Sequence, residues 1–234
     1  MERLDKRLAA TGLWSRKEAR ELVRGGRVTV DGQTARSPEN KVTEDSVILV
    51  DGEPLDSGGP VYIMLHKPGG VVSATEDPRE KTVLSLLPER YRRLGLFPAG
   101  RLDKDTEGLL LLTNDGPLAH RLLSPRHHVD KKYYVEVAGA LDGEDCRLFR
   151  EGITLADGYT CQPAELELLD RPAAAYVTLH EGKYHQIKRM LASRGKPVTY
   201  LKRVTFGPLK LDETLEIGCW RLLTDKEKSE LFRQ

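Results

Sequence analysis

Hydrophobic residues recur at helical spacing in the first part of the chain and at alternating, strand-like spacing after it. Ser15 and Glu18 form a capping box, which predicts the start of a helix, and Gly25 predicts its end. Asp31-Gly32 lies between two short alternating runs and predicts a tight hairpin turn. The first quarter of the chain is therefore expected to be a small helical and hairpin module, with helices at 2–10 and 15–24 and strands at 27–30 and 47–50.

Beyond residue 60, strand-like and helical runs follow one another in irregular alternation. This order favours a mixed, mainly antiparallel sheet over a doubly wound parallel one. A stretch rich in Pro, Gly and Ser separates the two regions and predicts a linker. We predict an α+β protein with a module at 1–56, a linker at 57–60 and a larger domain at 61–234. The expected strands of this domain are 61–66, 108–113, 132–138, 164–169, 175–180 and 198–206, and its helices are 82–87, 117–123, 143–151, 184–194 and 224–233.

Charge is distributed unevenly, although the formal net charge is only +1. Residues 1–27 carry eight basic against four acidic side chains, and residues 180–203 carry seven basic side chains against one acidic one. Two basic segments on a nearly neutral chain are typical of a surface that binds a polyanion. For either segment alone, a solvated helix face is an equally good explanation.

The three cysteines, Cys146, Cys161 and Cys219, lie far apart and form no C-x-x-C pair. Such an odd, scattered set argues against a disulfide framework and fits a reducing compartment. The N-terminal residues contain no apolar signal segment, and no apolar run is long enough to span a membrane. We expect a cytoplasmic protein without a membrane partner.

The sequence Gly100-Arg-Leu-Asp-Lys-Asp-Thr-Glu-Gly-Leu-Leu-Leu-Leu places Asp103 in a polar turn directly before a strongly apolar strand. A carboxylate held by a loop against a rigid strand suits nucleophilic or acid–base chemistry. A charged turn before a buried strand is the simpler interpretation, and composition alone does not separate the two. A glycoside hydrolase that pairs Asp103 with Asp105 is disfavoured, because two residues this close on one loop rarely face each other across a substrate.

The second predicted helix carries a basic stripe. Arg16, Arg20 and Arg24 recur every four residues, so their guanidinium groups share one face while the apolar residues between them face the core. Such a stripe can contact successive phosphates of a nucleic acid. A solvated amphipathic helix is the alternative.

The first quarter of the chain also resembles a known module. Arg3-Leu-Asp-Lys, Ser15-Arg-Lys-Glu-Ala and Gly26-Arg-Val-Thr-Val-Asp-Gly32 are similar to the alpha-L RNA-binding module, which occurs in a ribosomal small-subunit protein and in several RNA-modifying enzymes. The resemblance implies docking onto structured RNA. The RNA-binding residues expected in this module are Arg3, Lys6, Arg16, Lys17, Arg20 and Arg24.

Four stretches of the larger domain resemble, in the expected order, the motifs of RsuA-type pseudouridine synthases, which act on single uridines of ribosomal RNA. Residues 100–116 are similar to the aspartate motif of that family, and Met64-Leu-His-Lys-Pro-Gly-Gly70 is similar to its Lys-Pro-x-Gly strand. Ser124-Pro-Arg-His-His-Val-Asp-Lys-Lys-Tyr-Tyr-Val135 is similar to its tyrosine motif, and Glu181-Gly-Lys-Tyr-His-Gln-Ile-Lys-Arg-Met190 to its third motif. The resemblance spans the catalytic region and implies an isomerase.

The resemblance implies roles for three residues. Asp103 is the expected nucleophile, Tyr133 is expected to stack on the target uracil, and Lys188 is the expected cation that keeps Asp103 ionised. Attack on a ring carbon and attack on the anomeric carbon of the sugar both stay open, and phosphate contact or plain solvation is the alternative for Lys188. The isomerisation gains no atoms, so no cofactor is expected. The histidines lack metal-ligand spacing, so no metal is expected either.

Other basic residues near these motifs are expected to bind RNA. Arg101 is expected to fill the space that a flipped uridine vacates or to hold a phosphate, and an ion pair with Asp105 or Glu107 is the alternative. The chain from Lys196 to Arg203 is expected to lie on the RNA side. The remaining predicted RNA contacts are Arg126, His127, Lys131 and Arg189.

Within the family, residues 124–128 and 184–190 are most similar to members that modify 16S ribosomal RNA. The expected function is therefore isomerisation of one 16S uridine by a monomer. The expected partner is ribosomal RNA, either free or within a partly assembled small subunit. A synthase of 23S ribosomal RNA and a non-catalytic RNA-binding assembly factor are the alternatives, although the latter would have little reason to keep Asp103, Tyr133 and Lys188 together.

Overall fold

The computed structural model describes residues 1–55, 59–124 and 129–233. The predicted linker at 57–60 lies partly outside the described residues, and the predicted RNA contacts Arg126 and His127 lie outside them altogether. None of the described helices is both long enough and apolar enough to cross a lipid bilayer.

The chain forms two compact units. One comprises Met1–Val61 and Leu87–Leu96, and the other comprises Tyr62–Leu86 and the chain from Phe97 onward. The segment 87–96 therefore groups with the N-terminal residues, although it follows the predicted linker in sequence.

A small apolar core holds the N-terminal unit together, and both of its longer helices contribute to it. The second helix begins as predicted, because the Ser15 hydroxyl accepts from the Glu18 amide and the Glu18 carboxylate accepts from the Ser15 amide. The elements of this unit are β1 (Glu2–Arg3), α1 (Leu4–Ala9), α2 (Arg16–Arg24), β2 (Val28–Val30), β3 (Gln33–Thr34), β4 (Lys41–Val42), β5 (Ile48–Val50), β6 (Glu53–Pro54) and α3 (Glu89–Arg92).

The predicted helix over 2–10 is wrong at its start. Glu2 and Arg3 form strand β1 and pair with β4, so the helix begins only at Leu4. Because the partner strand is distant in sequence, the local pattern could not indicate this pairing. The turn at Asp31-Gly32 forms as predicted, with φ angles of 49° and 80°, as a type I′ hairpin turn requires.

The larger unit is built on one sheet, which has nine strands within the described residues. Its strands are β7 (Tyr62–Lys67), β8 (Phe97–Pro98), β9 (Glu107–Thr113), β10 (Lys131–Val137), β11 (Glu165–Leu168), β12 (Ala174–Leu179), β13 (Val198–Phe206), β14 (Leu209–Lys210) and β15 (Trp220–Leu222), and its helices are a 3-10 helix (Val83–Leu86), α4 (Gly116–Leu123), α5 (Gly143–Glu151), α6 (Gln186–Ser193) and α7 (Asp225–Phe232).

All but one of the described strand pairs in this sheet are antiparallel. The order is β11-β12-β10-β13-β9-β7-β15, with β14 on β13 and β8 on β9. The exception is the parallel pair of β13 and β9, where Arg203 lies opposite Gly108. Gly108 has a φ of 103°, and a Cβ at this position would collide with the Arg203 backbone, so the approach requires glycine. The predicted α+β class with a mainly antiparallel sheet is confirmed.

Several details differ from the predicted elements. The helix expected at 82–87 is a short 3-10 helix, and the sequence pattern does not indicate the short strands β8, β14 and β15. Strands of two or three residues carry too few alternating positions to be recognised locally. They form here because each pairs with a longer neighbouring strand, as β8 does with β9 and β15 with β7.

Candidate active site

One cleft of the larger unit is lined by residues from several separate segments. It encloses about 460 Å³, including space that is open to solvent. The loop before β9 contributes Asp103, strand β10 contributes Tyr133, the residue before α6 contributes the His185 ring, and α6 contributes Lys188. The structure therefore brings together the three residues that the sequence predicts to be catalytic.

The backbone on both sides of Asp103 is held by hydrogen bonds. Before it, the Ser73 hydroxyl accepts from the Leu102 amide at 3.1 Å and donates to the Leu102 carbonyl at 2.9 Å. After it, the Thr106 amide donates to the Asp103 carbonyl at 3.1 Å and closes a turn. The carboxylate is thus presented by a rigid loop, as a positioned reactive group requires.

Lys67, at the end of β7, supports the same loop. Its side chain is fully buried, and its ammonium donates to the carbonyl oxygens of Pro68, Lys104 and Thr106 at 3.0, 3.2 and 2.8 Å. Burial lowers the pKa of Lys67 to about 8, and nearby carboxylates oppose this shift only in part. At neutral pH, all three N–H donors of the ammonium have a carbonyl acceptor.

Lys188 bridges two carboxylates of the loop. Its Nζ lies 3.1 Å from Asp103 Oδ2 and 2.5 Å from Asp105 Oδ1. Burial alone would lower the pKa of Lys188, but the hydrogen bonds to Asp105 and Asp103 outweigh it and the pKa is raised. The same hydrogen bond lowers the pKa of Asp105. Lys188 is therefore a charged ion-pair partner of the loop rather than a plainly solvated side chain.

The second oxygen of Asp103 lies near His185, whose Nε2 is 3.4 Å from Oδ1. His185 caps the start of α6 with a φ of 47°, a left-handed conformation that is strained for most side chains. Beneath this turn, the buried Glu181 carboxylate accepts hydrogen bonds from the Tyr159 hydroxyl and the Gln186 amide, both at 2.7 Å. This network fixes the start of α6 and hence the side chains that reach Asp103.

Tyr133 and its neighbour Tyr134 lie on opposite faces of β10, because successive side chains of a strand alternate. Tyr133 lines the cleft and is 9% exposed. Tyr134 instead donates to Glu136 at 2.7 Å and packs edge-on against two other tyrosines. Only Tyr133 is available to a molecule in the cleft, in agreement with the preference drawn from the sequence.

Arg101 lines the cleft and is exposed, and it forms no ion pair with any described residue. The alternative interpretation, an ion pair with Asp105 or Glu107, is wrong. Asp105 is bound to Lys188, and Glu107 accepts a hydrogen bond from the Tyr200 hydroxyl at 2.7 Å.

Two other predicted RNA contacts are engaged within the protein. Lys131 is half-buried and donates to the Val129 carbonyl at 2.9 Å, and burial lowers its pKa to about 8. Arg189 forms an ion pair with Asp157 at 2.5 Å. Neither residue lines the cleft.

The expectation that the chain from Lys196 to Arg203 faces RNA is wrong at both ends. Lys196 forms ion pairs with Asp142 and Asp145. Arg203 is only 2% exposed and donates to the Leu109 carbonyl at 2.8 Å. Lys196 thus contacts the start of α5, while Arg203 links β13 to the neighbouring strand β9.

Basic side chains of the N-terminal unit converge on one buried carboxylate, that of Asp5. Arg3 and Arg20 contact it at 3.0 and 2.9 Å, and Arg16 lies at 3.8 Å. Burial alone would raise the pKa of Asp5, but the hydrogen bonds from Arg3 and Arg20 outweigh it and the pKa is lowered. The three arginine side chains are still 38–56% exposed, so an anion can reach them.

A shallow depression of the same unit is lined by four arginines, Arg3, Arg20, Arg24 and Arg36. Arg36 lies outside the predicted helices, so helical spacing gave no reason to select it. The predicted contacts Lys6 and Lys17 are exposed on the surface of α1 and α2. The unit therefore offers several cations to an anion at once.

The cleft combines a held carboxylate, one cation beside it and one aromatic face. Such a set suits nucleophilic attack on a planar, polar substrate that stacks on the aromatic ring. Among the described residues, no group of three or more His, Cys, Asp or Glu side chains could hold a metal ion.

Comparison with known families agrees with this site. The model of the RNA pseudouridylate synthase family matches residues 61–193, and the S4 domain model matches residues 2–48, the region that resembles the alpha-L RNA-binding module. The chain therefore belongs to the RNA pseudouridylate synthase family and carries an N-terminal S4 domain. It is an enzyme that isomerises uridine in RNA to pseudouridine, and the resemblance inferred from the motifs is confirmed.

Individual relatives cover nearly the whole chain. A Bacillus subtilis (strain 168) protein described as the uncharacterised RNA pseudouridine synthase YtzG is 46% identical over 96% of both chains. The ribosomal small subunit pseudouridine synthase A of Vibrio cholerae is 42% identical over 99% of this chain and 100% of its own. A crystal structure of a pseudouridylate synthase superposes with a TM-score of 0.70 at 37% identity, over 99% of this chain and 100% of its own.

Five residues of the site were not selected from the sequence, namely Lys67, Ser73, Asp105, Glu181 and His185. All of these except Ser73 lie within the motifs, and the closeness of Asp105 and His185 to Asp103 and Lys188 in those motifs was a usable signal. Lys67, Ser73 and Glu181 act on the backbone and on buried side chains, and no local pattern indicates such contacts.

Proposed function

We propose that this chain isomerises one uridine of 16S ribosomal RNA to pseudouridine, with Asp103 as the nucleophile. The observation that carries the proposal is the ion pair between Lys188 and Asp103 in a cleft that Tyr133 also lines. The choice of 16S RNA is supported by the 42% identity to the Vibrio cholerae enzyme named for the small ribosomal subunit.

The reaction breaks the bond between C1′ of the ribose and N1 of the uracil, and it forms a bond between C1′ and C5. The proton leaves C5 and N1 gains one, so atoms and electrons balance without a cofactor. Asp103 attacks either a ring carbon or C1′, and Lys188 favours its ionised form before attack and as it leaves. Tyr133 gives the uracil a face on which it can turn, because stacking tolerates any edge orientation.

The module at 1–56 binds most of the RNA in this proposal, and the linker at 57–60 joins it to the catalytic domain at 61–234. Exposed cations of the module contact phosphates, and Arg101 meets the RNA at the cleft. The enzyme acts as a cytoplasmic monomer on ribosomal RNA, free or partly assembled into a small subunit. The proposed RNA contacts are Arg3, Lys6, Arg16, Lys17, Arg20, Arg24, Arg101, Lys131 and Arg189.

The test is pseudouridine mapping of total ribosomal RNA from a strain that lacks the gene. We expect one 16S position to lose its modification and to regain it with the wild-type gene, but not with Asp103→Asn. Asp170→Asn, which changes an exposed aspartate of the same unit, is the matched control and should restore it.

Each other outcome overturns a definite part of the proposal. Loss of a 23S position instead would make the chain a 23S synthase. Unchanged modification of all ribosomal RNA would remove ribosomal RNA as the substrate. Full restoration by Asp103→Asn would mean that Asp103 is not the nucleophile.

A further inference from the structure

The turn into α6 exposes an aromatic ring that the proposed reaction does not use. Tyr184 is 76% exposed, more than any other Phe, Tyr or Trp of the described residues. Its ring stacks on His185, with centroids 3.8 Å apart and planes 18° from parallel. One face of the tyrosine is therefore covered by protein, while the rest of the ring meets water. Aromatic rings held in this way are enriched at binding surfaces.

The stacked pair stands on a rigid support. His185 adopts its left-handed conformation directly before α6, and the buried Glu181 carboxylate accepts hydrogen bonds from the Gln186 side chain and the Gln162 amide. Lys183 also belongs to this support, because its amide donates to the Gln186 side chain at 3.0 Å. A preformed aromatic face loses little conformational entropy when it binds.

The pair is continuous with the cleft. His185 lines the cleft beside Asp103, and Tyr184 precedes it by one residue. Lys183 and Arg101 line the same cleft, are exposed and form no ion pair with any described residue. The Lys183 ammonium lies over the Tyr159 ring, 4.9 Å from its centroid. An exposed aromatic face beside exposed cations is the arrangement by which proteins bind single-stranded nucleic acid.

We propose that Tyr184, stacked on His185, binds an unpaired base adjacent to the target uridine, while Lys183 and Arg101 meet the neighbouring phosphates. The inference rests on the proposed function of the cleft. A uridine that leaves its stack also leaves its neighbour unstacked, and the Tyr184 ring offsets that cost. Because every base has a stacking face, the surface selects an unpaired neighbour rather than a particular base.

The first test separates stacking from other roles of the side chain. Tyr184→Leu keeps an apolar side chain and removes the ring, whereas Tyr184→Phe and Tyr184→Trp keep a ring. On a 16S ribosomal RNA transcript, we expect Tyr184→Leu to raise KM roughly 5- to 150-fold, the equivalent of one stacked base, with a much smaller change in kcat. Tyr184→Phe and Tyr184→Trp should restore KM to within a few-fold of wild type.

A fluorescent probe tests the same contact without turnover. The probe is a uridine-rich single-stranded RNA of nine nucleotides, with 2-aminopurine next to a central uridine. Stacking on Tyr184 should quench its fluorescence with the wild-type enzyme and with Tyr184→Phe, but not with Tyr184→Leu. Asp103→Asn should quench like wild type, because this contact does not involve the carboxylate.

The outcomes distinguish the stacking surface at Tyr184 from the proposed function of the cleft. Equal KM and equal quenching for Tyr184→Leu and wild type would overturn the stacking surface, while pseudouridine formation that depends on Asp103 would still support the proposed function. A fall in kcat with an unchanged KM would also overturn the stacking surface, since Tyr184 would then act by supporting His185. If wild type modifies no ribosomal RNA, the proposed function fails, and quenching lost only in Tyr184→Leu would still support the base-binding surface.

Discussion

Asp5 of the N-terminal unit and Asp103 of the larger unit both lie among basic side chains, and the two carboxylates differ in exposure. Asp5 has no exposed surface and is bound by Arg3 and Arg20 at 3.0 and 2.9 Å. Asp103 keeps 27% of its side chain exposed and contacts Lys188 at 3.1 Å. The first carboxylate is enclosed by its partners, whereas the second stays partly exposed between Lys188 at one oxygen and His185, 3.4 Å from the other.

This difference agrees with the proposal that Asp5 organises cations whereas Asp103 is the reactive group. The oxygens of Asp5 are occupied and inaccessible, so its effect is to hold arginines that are themselves exposed. In the cleft the relation is reversed, because the cation is the more buried partner and Asp103 remains reachable. A nucleophile needs lone pairs that a substrate can approach, and the exposed part of the Asp103 carboxylate provides them.

The largest expected effect comes from removing the charge of the open carboxylate. Asp103→Asn should lower the rate of pseudouridine formation by at least about 10³-fold, as removal of a nucleophile commonly does. The fold should persist, because the amide is isosteric with the carboxylate. Single-turnover assays with a saturating excess of enzyme measure this rate, and Asp170→Asn serves as the exposed control. A rate for Asp103→Asn within tenfold of wild type would contradict the comparison.

Lys188 tests whether the cation serves the carboxylate through its charge. Lys188→Met removes the charge and should lower the rate by about 10²-fold, the usual cost of losing one electrostatic contact to a reacting group. Lys188→Arg keeps the charge, so it should recover most of that loss. The same single-turnover assay compares the two variants. Equal rates would show that the side chain acts by its shape instead.

The local sequence pattern predicts those elements that contain enough periodic positions or a capping motif of their own. The helix at 143–151 and the strand at 198–206 have the predicted bounds, because each shows a full set of periodic positions or a capping motif. The two-residue strand β1 was predicted as helix, since only its distant partner β4 makes it a strand. Pairing between remote segments is tertiary information, and a local window does not contain it.

The candidate site, like the fold, was predicted in part. Asp103, Tyr133 and Lys188 were selected from motif resemblance, and the structure brings them into one cleft. The supports of the loop were not selected, because Lys67 acts on backbone carbonyls that any residue could provide. The strained turn at His185 also escaped prediction, since a left-handed histidine leaves no periodic pattern.

Asp5 provides the next test, on stability rather than on rate. Asp5→Asn should lower the free energy of unfolding of the N-terminal unit by about 1–3 kcal/mol, the value of hydrogen bonds to a charged group. The folded pKa of Asp5 lies below its unfolded value, so this stabilisation is present above the unfolded pKa of about 3.9 and is lost as pH falls through the folded pKa. The difference between the two proteins should therefore shrink in acid.

Urea unfolding in a Trp220→Phe background measures this difference, because Trp14 then reports on the N-terminal unit alone. Asp45→Asn, at an exposed position of the same unit, is the matched control. If Asp5→Asn and Asp45→Asn have equal effects, the enclosed carboxylate does not organise its arginines.

The smallest expected effect concerns Lys67, a buried cation that is bound by carbonyls instead of a carboxylate. Its pKa is lowered to about 8 by burial, whereas in the unfolded chain it is about 10.4. Between pH 8 and about 10.4, Lys67 is deprotonated in the folded protein and protonated in the unfolded chain, so the free energy of unfolding rises with pH. The same deprotonation removes one N–H donor from the contacts with the loop. We expect the single-turnover rate to fall above pH 8, by at most about tenfold per pH unit, without unfolding.

The control for that pH profile is Lys131, whose pKa is also lowered to about 8 by burial but which does not contact the loop. Lys67→Met should be slow and free of this alkaline decline, whereas Lys131→Met should keep it. Titration of the RNA itself is common to all three proteins and cancels in the comparison. A decline that survives in Lys67→Met and disappears in Lys131→Met would mean that Lys131, and not the carbonyl-bound Lys67, carries the pH dependence of the site.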